Sequence, residues 1–290
     1  MKIYEHKNDI VIADQSDFEL SDIFDCGQCF RFNPNADGSY TGTAFGRTIR
    51  ISKRGDDIVL HSTSISDFDL IWRSFLDLER DYSEIKDRLG TDDVMSEAVR
   101  YGEGIRILNQ ELWETMISFI ISASNNIPRI KKIIELLCAN FGTAHTYEGR
   151  IYYSFPTPEM IASLDLSDLS VIRAGFRDKY ILDCARNVAS GAIDLDAIRF
   201  MTTPHAKEAL LSIRGVGNKV SDCILLFGLS RFDSFPIDVW IKRVMEHCYF
   251  SGTVQSIQTI SDFANEKFGD LGGIAQQYLF FYARENKIGV

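Results

Sequence analysis

No stretch of this 290-residue sequence approaches the roughly 18 consecutive apolar residues that a membrane-crossing helix requires. The opening residues, Met1-Lys2-Ile3-Tyr4-Glu5-His6, hold no apolar run of the kind that marks a secretory signal. Both absences lead to the expectation of a cytoplasmic protein with no membrane partner, nucleoid-associated if prokaryotic. Cysteine is scarce as well. Cys26, Cys29, Cys138, Cys184, Cys223 and Cys248 are too thinly spread for a disulfide framework, and Cys26-Gly27-Gln28-Cys29 has no second pair or neighbouring histidine to complete a metal site. Positive charge is also short: 31 Lys+Arg against 41 Asp+Glu gives a net charge of −10, the reverse of the basic footprint of a nucleic-acid binder.

That deficit is local. Residues 1–100 carry 12 Lys+Arg and 20 Asp+Glu, a net of −8, whereas residues 101–290 carry 19 and 21, a net of −2. An anionic partner is therefore to be sought on the last two thirds of the chain. A composition of 45% hydrophobic and 25% charged residues is enough to bury a sizeable core, and the length suits two domains.

The first sixty residues read as short strands. Ile10–Ile12, Phe30–Phe32, Tyr40–Thr43, Thr48–Ile51 and Asp57–Leu60 are separated by turn-rich segments, the pattern of an antiparallel meander. From about residue 66 the period becomes helical. Phe68, Ile71, Trp72, Phe75 and Leu78 form one apolar stripe behind a capping box at Ser66-x-x-Asp69, and everything afterwards is expected to be helical. Helices are predicted over about 111–123, 128–140, 178–190, 204–213, 218–228, 237–249, 254–268 and 272–285. The fold class is α+β: an N-terminal antiparallel β domain with flanking helices (1–95), followed by a helical body (96–290).

The chemistry concentrates near residue 215. Leu210-Leu211-Ser212-Ile213-Arg214-Gly215-Val216-Gly217-Asn218-Lys219-Val220-Ser221-Asp222-Cys223 joins two helical patterns through a very tight turn. Gly215 and Gly217 both permit positive φ and close backbone approach, and Asn218 is placed to cap the next helix. Such a helix–hairpin–helix (210–223) can hold a nucleic-acid phosphate on backbone amides without net basic charge, although an ordinary αα-hairpin explains the glycines equally well. Lys219 stands at the positive end of a helix dipole, where a cation is disfavoured and an amine nucleophile is favoured. Nineteen positions on, Phe235-Pro236-Ile237-Asp238-Val239-Trp240 sets an acid at a helix start, as N-cap, as catalytic carboxylate or as both.

The G-V-G-x-K-V-x-D-C hairpin followed by P-x-D-V resembles the helix–hairpin–helix superfamily of DNA glycosylases, specifically its 8-oxoguanine DNA glycosylase/AP lyase branch. Cys26-Gly27-Gln28-Cys29-Phe30-Arg31-Phe32 is similar to that branch's G-Q-x-F-R element. Phe119-Ile120-Ile121-Ser122-Ala123-Ser124-Asn125-Asn126-Ile127-Pro128-Arg129-Ile130 resembles its S-x-N-N-I-x-R-I segment, and Ala275-Gln276-Gln277-Tyr278-Leu279-Phe280 its last helix.

The resemblance implies a TBP-like N-terminal sheet and a monomer acting on double-stranded DNA that contains 8-oxoguanine. It implies Lys219 as the nucleophile at C1′ and Asp238 as its catalytic partner. The flipped base would lie in a pocket of Gly27, Cys223, Phe227, Gln276 and Phe280, the Gly27 carbonyl accepting the N7 hydrogen that guanine lacks. Gly215, Val216 and Gly217 would hold phosphate, and the carbonyls of Leu211, Ile213 and Val216 match positions that can hold a structural cation. No cofactor is otherwise expected, since the C-x6-C-x2-C-x5-C cluster of iron–sulfur relatives is missing. Opposite the lesion, Asn125, Arg129 and Arg177 keep the pattern, but Ser124 replaces an Asn and Phe176 a Tyr, which implies a relaxed preference for cytosine. Trp240 replaces a His that commonly contacts phosphate. Two alternatives stay open: a non-catalytic DNA-binding helix–hairpin–helix protein, which needs no Lys219, and a monofunctional alkylated-base glycosylase, which lacks the hairpin lysine.

Overall fold

In a computed structural model that describes residues 2–289, the alternating isoleucines of the N-terminal third line one face of a six-stranded antiparallel sheet. Its strands are β1 (Lys2–His6), β2 (Asp9–Ala13), β3 (Phe32–Pro34), β4 (Tyr40–Ala44), β5 (Arg47–Arg54) and β6 (Asp57–His61), in the spatial order β1-β2-β6-β5-β4-β3. Ile10, Ile12, Ile49, Ile51, Ile58 and Leu60 point the same way because a strand sends every second side chain to one face. Against them pack Phe18, Phe24, Phe32, Phe68, Trp72 and Phe75. Gly42 makes this possible: a Cβ there would lie 2.3 Å from the Phe32 ring, which rests flat on the strand backbone.

Three sequence expectations shift here. The edge strand β1 was not foreseen, because four of its five residues are exposed and it shows no buried alternation. The strand expected at Phe30–Phe32 begins at Phe32 instead, since Phe30 turns into the other core. The helix from Ile65 to Phe75, which includes a π turn over Phe68–Trp72, is capped by Ser64 rather than Ser66; the Ser64 hydroxyl accepts from the Asp67 amide at 3.1 Å.

A second core occupies the rest of the chain and already includes Tyr82, Ile85 and Leu89. Its centre is the contact between the helices Leu112–Ser122 and Asn218–Leu229, surrounded by Ile127–Phe141, Asp178–Ala189, Val239–Tyr249 and Gly272–Glu285. This body is not wholly helical, which corrects the expectation for the region after residue 66. Strands β7 (Ala144–Tyr147) and β8 (Arg150–Tyr153) form a hairpin around Glu148-Gly149. The hairpin grips the N-terminal sheet: Tyr147 donates its hydroxyl to the His61 carbonyl (2.6 Å) and accepts from the Arg50 amide (2.9 Å), and Arg50 pairs with Glu148. Four residues per strand, mostly polar, gave no apolar period to read.

The segment 25–32 belongs to both cores. Cys29 and Phe32 pack under the sheet, whereas Cys26 and Phe30 enter the helical core. Gln28, fully buried, locks the crossing: its Nε2 donates to the carbonyls of Ile23 (2.9 Å) and Arg106 (2.8 Å), and its Oε1 accepts from the Leu108 amide (2.8 Å). Nearby, Arg31 meets Glu114 at 3.4 Å, with side chains 10% and 15% exposed. Burial pushes the Glu114 carboxyl up to about 7, more than the Arg31 guanidinium offsets. The folded state then holds this proton more tightly than the unfolded chain, so the group's contribution is fully present below its ordinary value of 4.5 and is lost as pH rises through about 7. Glu114→Gln does not titrate, so its stability relative to wild type should improve by roughly 3 kcal/mol between those limits. Urea unfolding across that range checks this, and a pH-independent difference would contradict it.

Candidate active site

Between the Thr203–Leu211 and Asn218–Leu229 helices the chain turns at Gly215, whose φ of +89° suits glycine; a Cβ there would also meet the Tyr180 ring at 2.7 Å. Gly217 differs from expectation. Its φ of −101° and ψ of −177° are extended backbone that any residue adopts, and a Cβ there would meet open space. Gly217 is also the N-cap, while Asn218 falls inside the helix and caps nothing. No side chain caps the first amides of this helix. Val216 donates its amide to the Ile213 carbonyl (3.1 Å), closing the turn.

Lys219 follows on the first turn, its Nζ 5.1 Å from the centre of the Phe119 ring. It also lies against Cys223, a buried thiol that desolvation pushes up to about 11 despite the neighbouring ammonium. Asp238 is the N-cap of Val239–Tyr249: its Oδ1 accepts from the amides of Trp240 (2.9 Å) and Ile241 (2.8 Å). Desolvation pushes the Asp238 carboxyl above its ordinary range, while those two amides and the cations of Lys219 and Arg284 pull the other way. A carboxylate and an amine thus face one cleft from the N-termini of two successive helices.

The cleft encloses about 940 Å³. Gly27, Lys219, Cys223, Phe227, Asp238, Gln276 and Phe280 all line it, together with Ser124, Asn125 and Trp240. Gly27 has φ +82°, and a Cβ there would approach Ile127 Cδ1 at 3.2 Å and Phe280 Cε1 at 3.3 Å. The carbonyls on either side of Gly27 are bound, Cys26 by Gln277 Nε2 (2.8 Å) and Gln28 by Gln110 Nε2 (2.7 Å). Gln276 is 5% exposed, and its Oε1 has no hydrogen-bond partner among the described residues. Such an atom costs stability unless something in the cleft completes it. Phe227 stacks on Phe119 at 5.4 Å, forming the apolar floor beneath Lys219.

The residues expected against the opposite strand are divided. Phe176 is 56% exposed and Arg129 projects from a helix start. Ser124 sits at φ +51°, and Arg177 holds it there from below, donating to the carbonyls of Ala123, Ser124 (2.9 Å) and Ala174 (3.0 Å). Arg177 is only 2% exposed, with its guanidinium 4.3 Å from the Phe176 ring. Asn125 is engaged with its own backbone, donating to the Ile121 carbonyl (3.0 Å) and accepting from the Asn126 amide (3.0 Å). Ser124 and Phe176 thus both rest on one buried arginine.

Family models match nearly this whole arrangement. One described as the N-terminal domain of 8-oxoguanine DNA glycosylase covers residues 10–116, and one described as HhH-GPD superfamily base excision DNA repair protein covers residues 117–268. The chain belongs to the HhH-GPD superfamily. Among solved structures, MBOgg1 in complex with a low-affinity DNA ligand is 45% identical, with a TM-score of 0.96 over 99% of both chains. The Clostridium acetobutylicum 8-oxoguanine glycosylase/lyase, solved with double-stranded DNA containing cytosine opposite 8-oxoG, is 42% identical with the same TM-score and coverage. A probable N-glycosylase/DNA lyase of Methanothermobacter thermautotrophicus is 30% identical over 230 residues, 72% of each chain.

Several residues of the cleft escaped the sequence reading. Phe119 was read as part of an apolar helical stripe, and Ile127 fell just ahead of a helix expected to begin at Pro128. Arg284 also lines the cleft. It follows Gln276 and Phe280 at intervals of four on one helix, a spacing that puts all three on the same face and could have exposed it.

Proposed function

We infer that the protein is a bifunctional DNA glycosylase/AP lyase that removes 8-oxoguanine from duplex DNA. The observation that carries this is the juxtaposition, across one cleft, of Lys219 and Asp238 with the Gln276 Oε1, which has no partner among the described residues, and the Gly27 loop. The extruded base enters between Phe280 and Cys223. Gln276 bonds its Watson–Crick edge, and the Gly27 carbonyl accepts from N7–H. Guanine presents an N7 lone pair instead, so the same carbonyl repels it.

The reaction then follows from the amine. Neutral Lys219 Nζ attacks C1′, the C1′–N9 bond breaks, and its electron pair leaves with the base, which takes up a proton. Asp238, negative and poorly solvated, stabilises the positive charge that develops on the sugar. Opening of the sugar ring gives a protonated Schiff base; loss of a C2′ proton then expels the 3′ phosphate by β-elimination. The uncapped Asn218–Leu229 helix end holds backbone phosphate beside Gly215 and Gly217. A structural cation suits the same hairpin: the carbonyls of Leu211 and Val216 have no partner among the described residues, and that of Ile213 accepts only one. The chain acts as a monomer, and among the described residues no helix is long and apolar enough to cross a membrane.

Two experiments test this reading. Borohydride should trap a covalent complex between the protein and an 8-oxoguanine duplex, and Lys219→Gln should abolish it; an intact protein that cannot be trapped would contradict the lyase assignment. Ser124 and Phe176 lack the groups for a full bidentate cytosine contact, a contact worth about 1–3 kcal/mol of discrimination. Single-turnover excision opposite the four bases should therefore vary by no more than about tenfold, and a cytosine preference near a hundredfold would count against it.

A further inference from the structure

Arg284 lines the cleft and has no part in the reaction above, and unlike Lys242, which pairs with Glu246, it reaches the Gly27 loop. Its Nη2 donates to the Asp25 carbonyl (2.7 Å), two residues before Gly27, and its Nε pairs with Glu285 (2.9 Å). The guanidinium lies 5.4 Å from the centre of the Phe280 ring. Nη1 is different. It is buried, has no hydrogen-bond partner among the described residues, and lies 3.5 Å from the position a Cβ would take on Gly27. A guanidinium is planar and always charged, so with Nη2 and Nε fixed the direction of Nη1 is fixed as well.

8-Oxoguanine differs from guanine at two adjacent atoms of one edge: N7 gains a hydrogen and C8 gains a carbonyl oxygen. An acceptor at Gly27 reads only the first. We propose that Arg284 is a specificity-determining residue whose Nη1 donates to the C8 oxygen, beside the Gly27 carbonyl that accepts from N7–H. This rests on the reading of function above. Guanine would leave the acceptor facing a lone pair and the donor facing C8–H, so it fails at both positions. The same side chain holds the loop through Asp25 and lies against the Phe280 ring, so the reader and the platform for the base are set by one residue.

The test compares two single-turnover rates of the full-length protein. One is base release from an 8-oxoguanine duplex; the other is strand cleavage of the same duplex with a preformed abasic site, which needs the amine but offers no C8 oxygen. Arg284→Met keeps the alkyl stem against Phe280 and is expected to lower the first rate at least about tenfold relative to the second. Arg284→Gln, shorter and neutral, should do the same and serves if methionine folds poorly. Rates that fall together, or a ratio within about threefold of wild type, would overturn the proposal. Wild-type protein that cleaves the abasic site without releasing 8-oxoguanine would instead remove the underlying reading, and the proposal with it.

Discussion

The site depends on placing a carboxylate and an amine in the same poorly solvated cleft without letting them neutralise each other into an inert ion pair. The fold achieves this with two helix N-termini. Asp238 is anchored by the amides of Trp240 and Ile241, which accounts for one of its oxygens and holds the group in position. Lys219 begins the neighbouring helix, where the dipole opposes a cation, and rests on the Phe119 ring. Desolvation raises the Asp238 carboxyl while the amides and nearby cations lower it.

A second constraint is the division of the pocket between two cores. Lys219 and Asp238 come from the helical body, while Gly27 comes from a loop whose neighbours are buried alternately in the sheet and in the helices. Gln28, Gln277 and Arg284 tie that loop to the body through backbone carbonyls and amides. Gly27 is thereby held at the cleft that Phe280 and Gln276 also line, although the N-terminal third it belongs to is acidic. The net charge of −10 is concentrated in residues 1–100, and the part of the chain that carries Lys219 and Asp238 is nearly balanced, at −2 over residues 101–290.

Much of this was readable in the sequence, for identifiable reasons. The sheet face followed from alternation at Ile10, Ile12, Ile49, Ile51, Ile58 and Leu60, and the later helices from their punctuation. Lys219 stood out because a cation at a helix start opposes the dipole, whereas Asp238 alone is accounted for as the N-cap that it is, and only its place after the hairpin lysine singled it out. The exposed β1 strand and the polar β7–β8 hairpin carried no apolar period and went unseen. Asn218 was misplaced by one residue because a glycine can cap a helix without any side-chain signal. Arg177, expected on the DNA, instead supports Ser124 from beneath, and only the three-dimensional packing could reveal which carbonyls it meets.

The central claim is that Asp238 acts through its charge and not only as a cap. Asparagine keeps a side-chain oxygen able to accept from the amides of Trp240 and Ile241, so Asp238→Asn preserves the helix start while removing the negative charge. The decisive measurement is the single-turnover rate of 8-oxoguanine release by this variant, alongside its affinity for the lesion duplex. The account predicts a fall of at least about a hundredfold in rate, equivalent to nearly 3 kcal/mol of transition-state stabilisation, with affinity little changed. A rate within about threefold of wild type would contradict it.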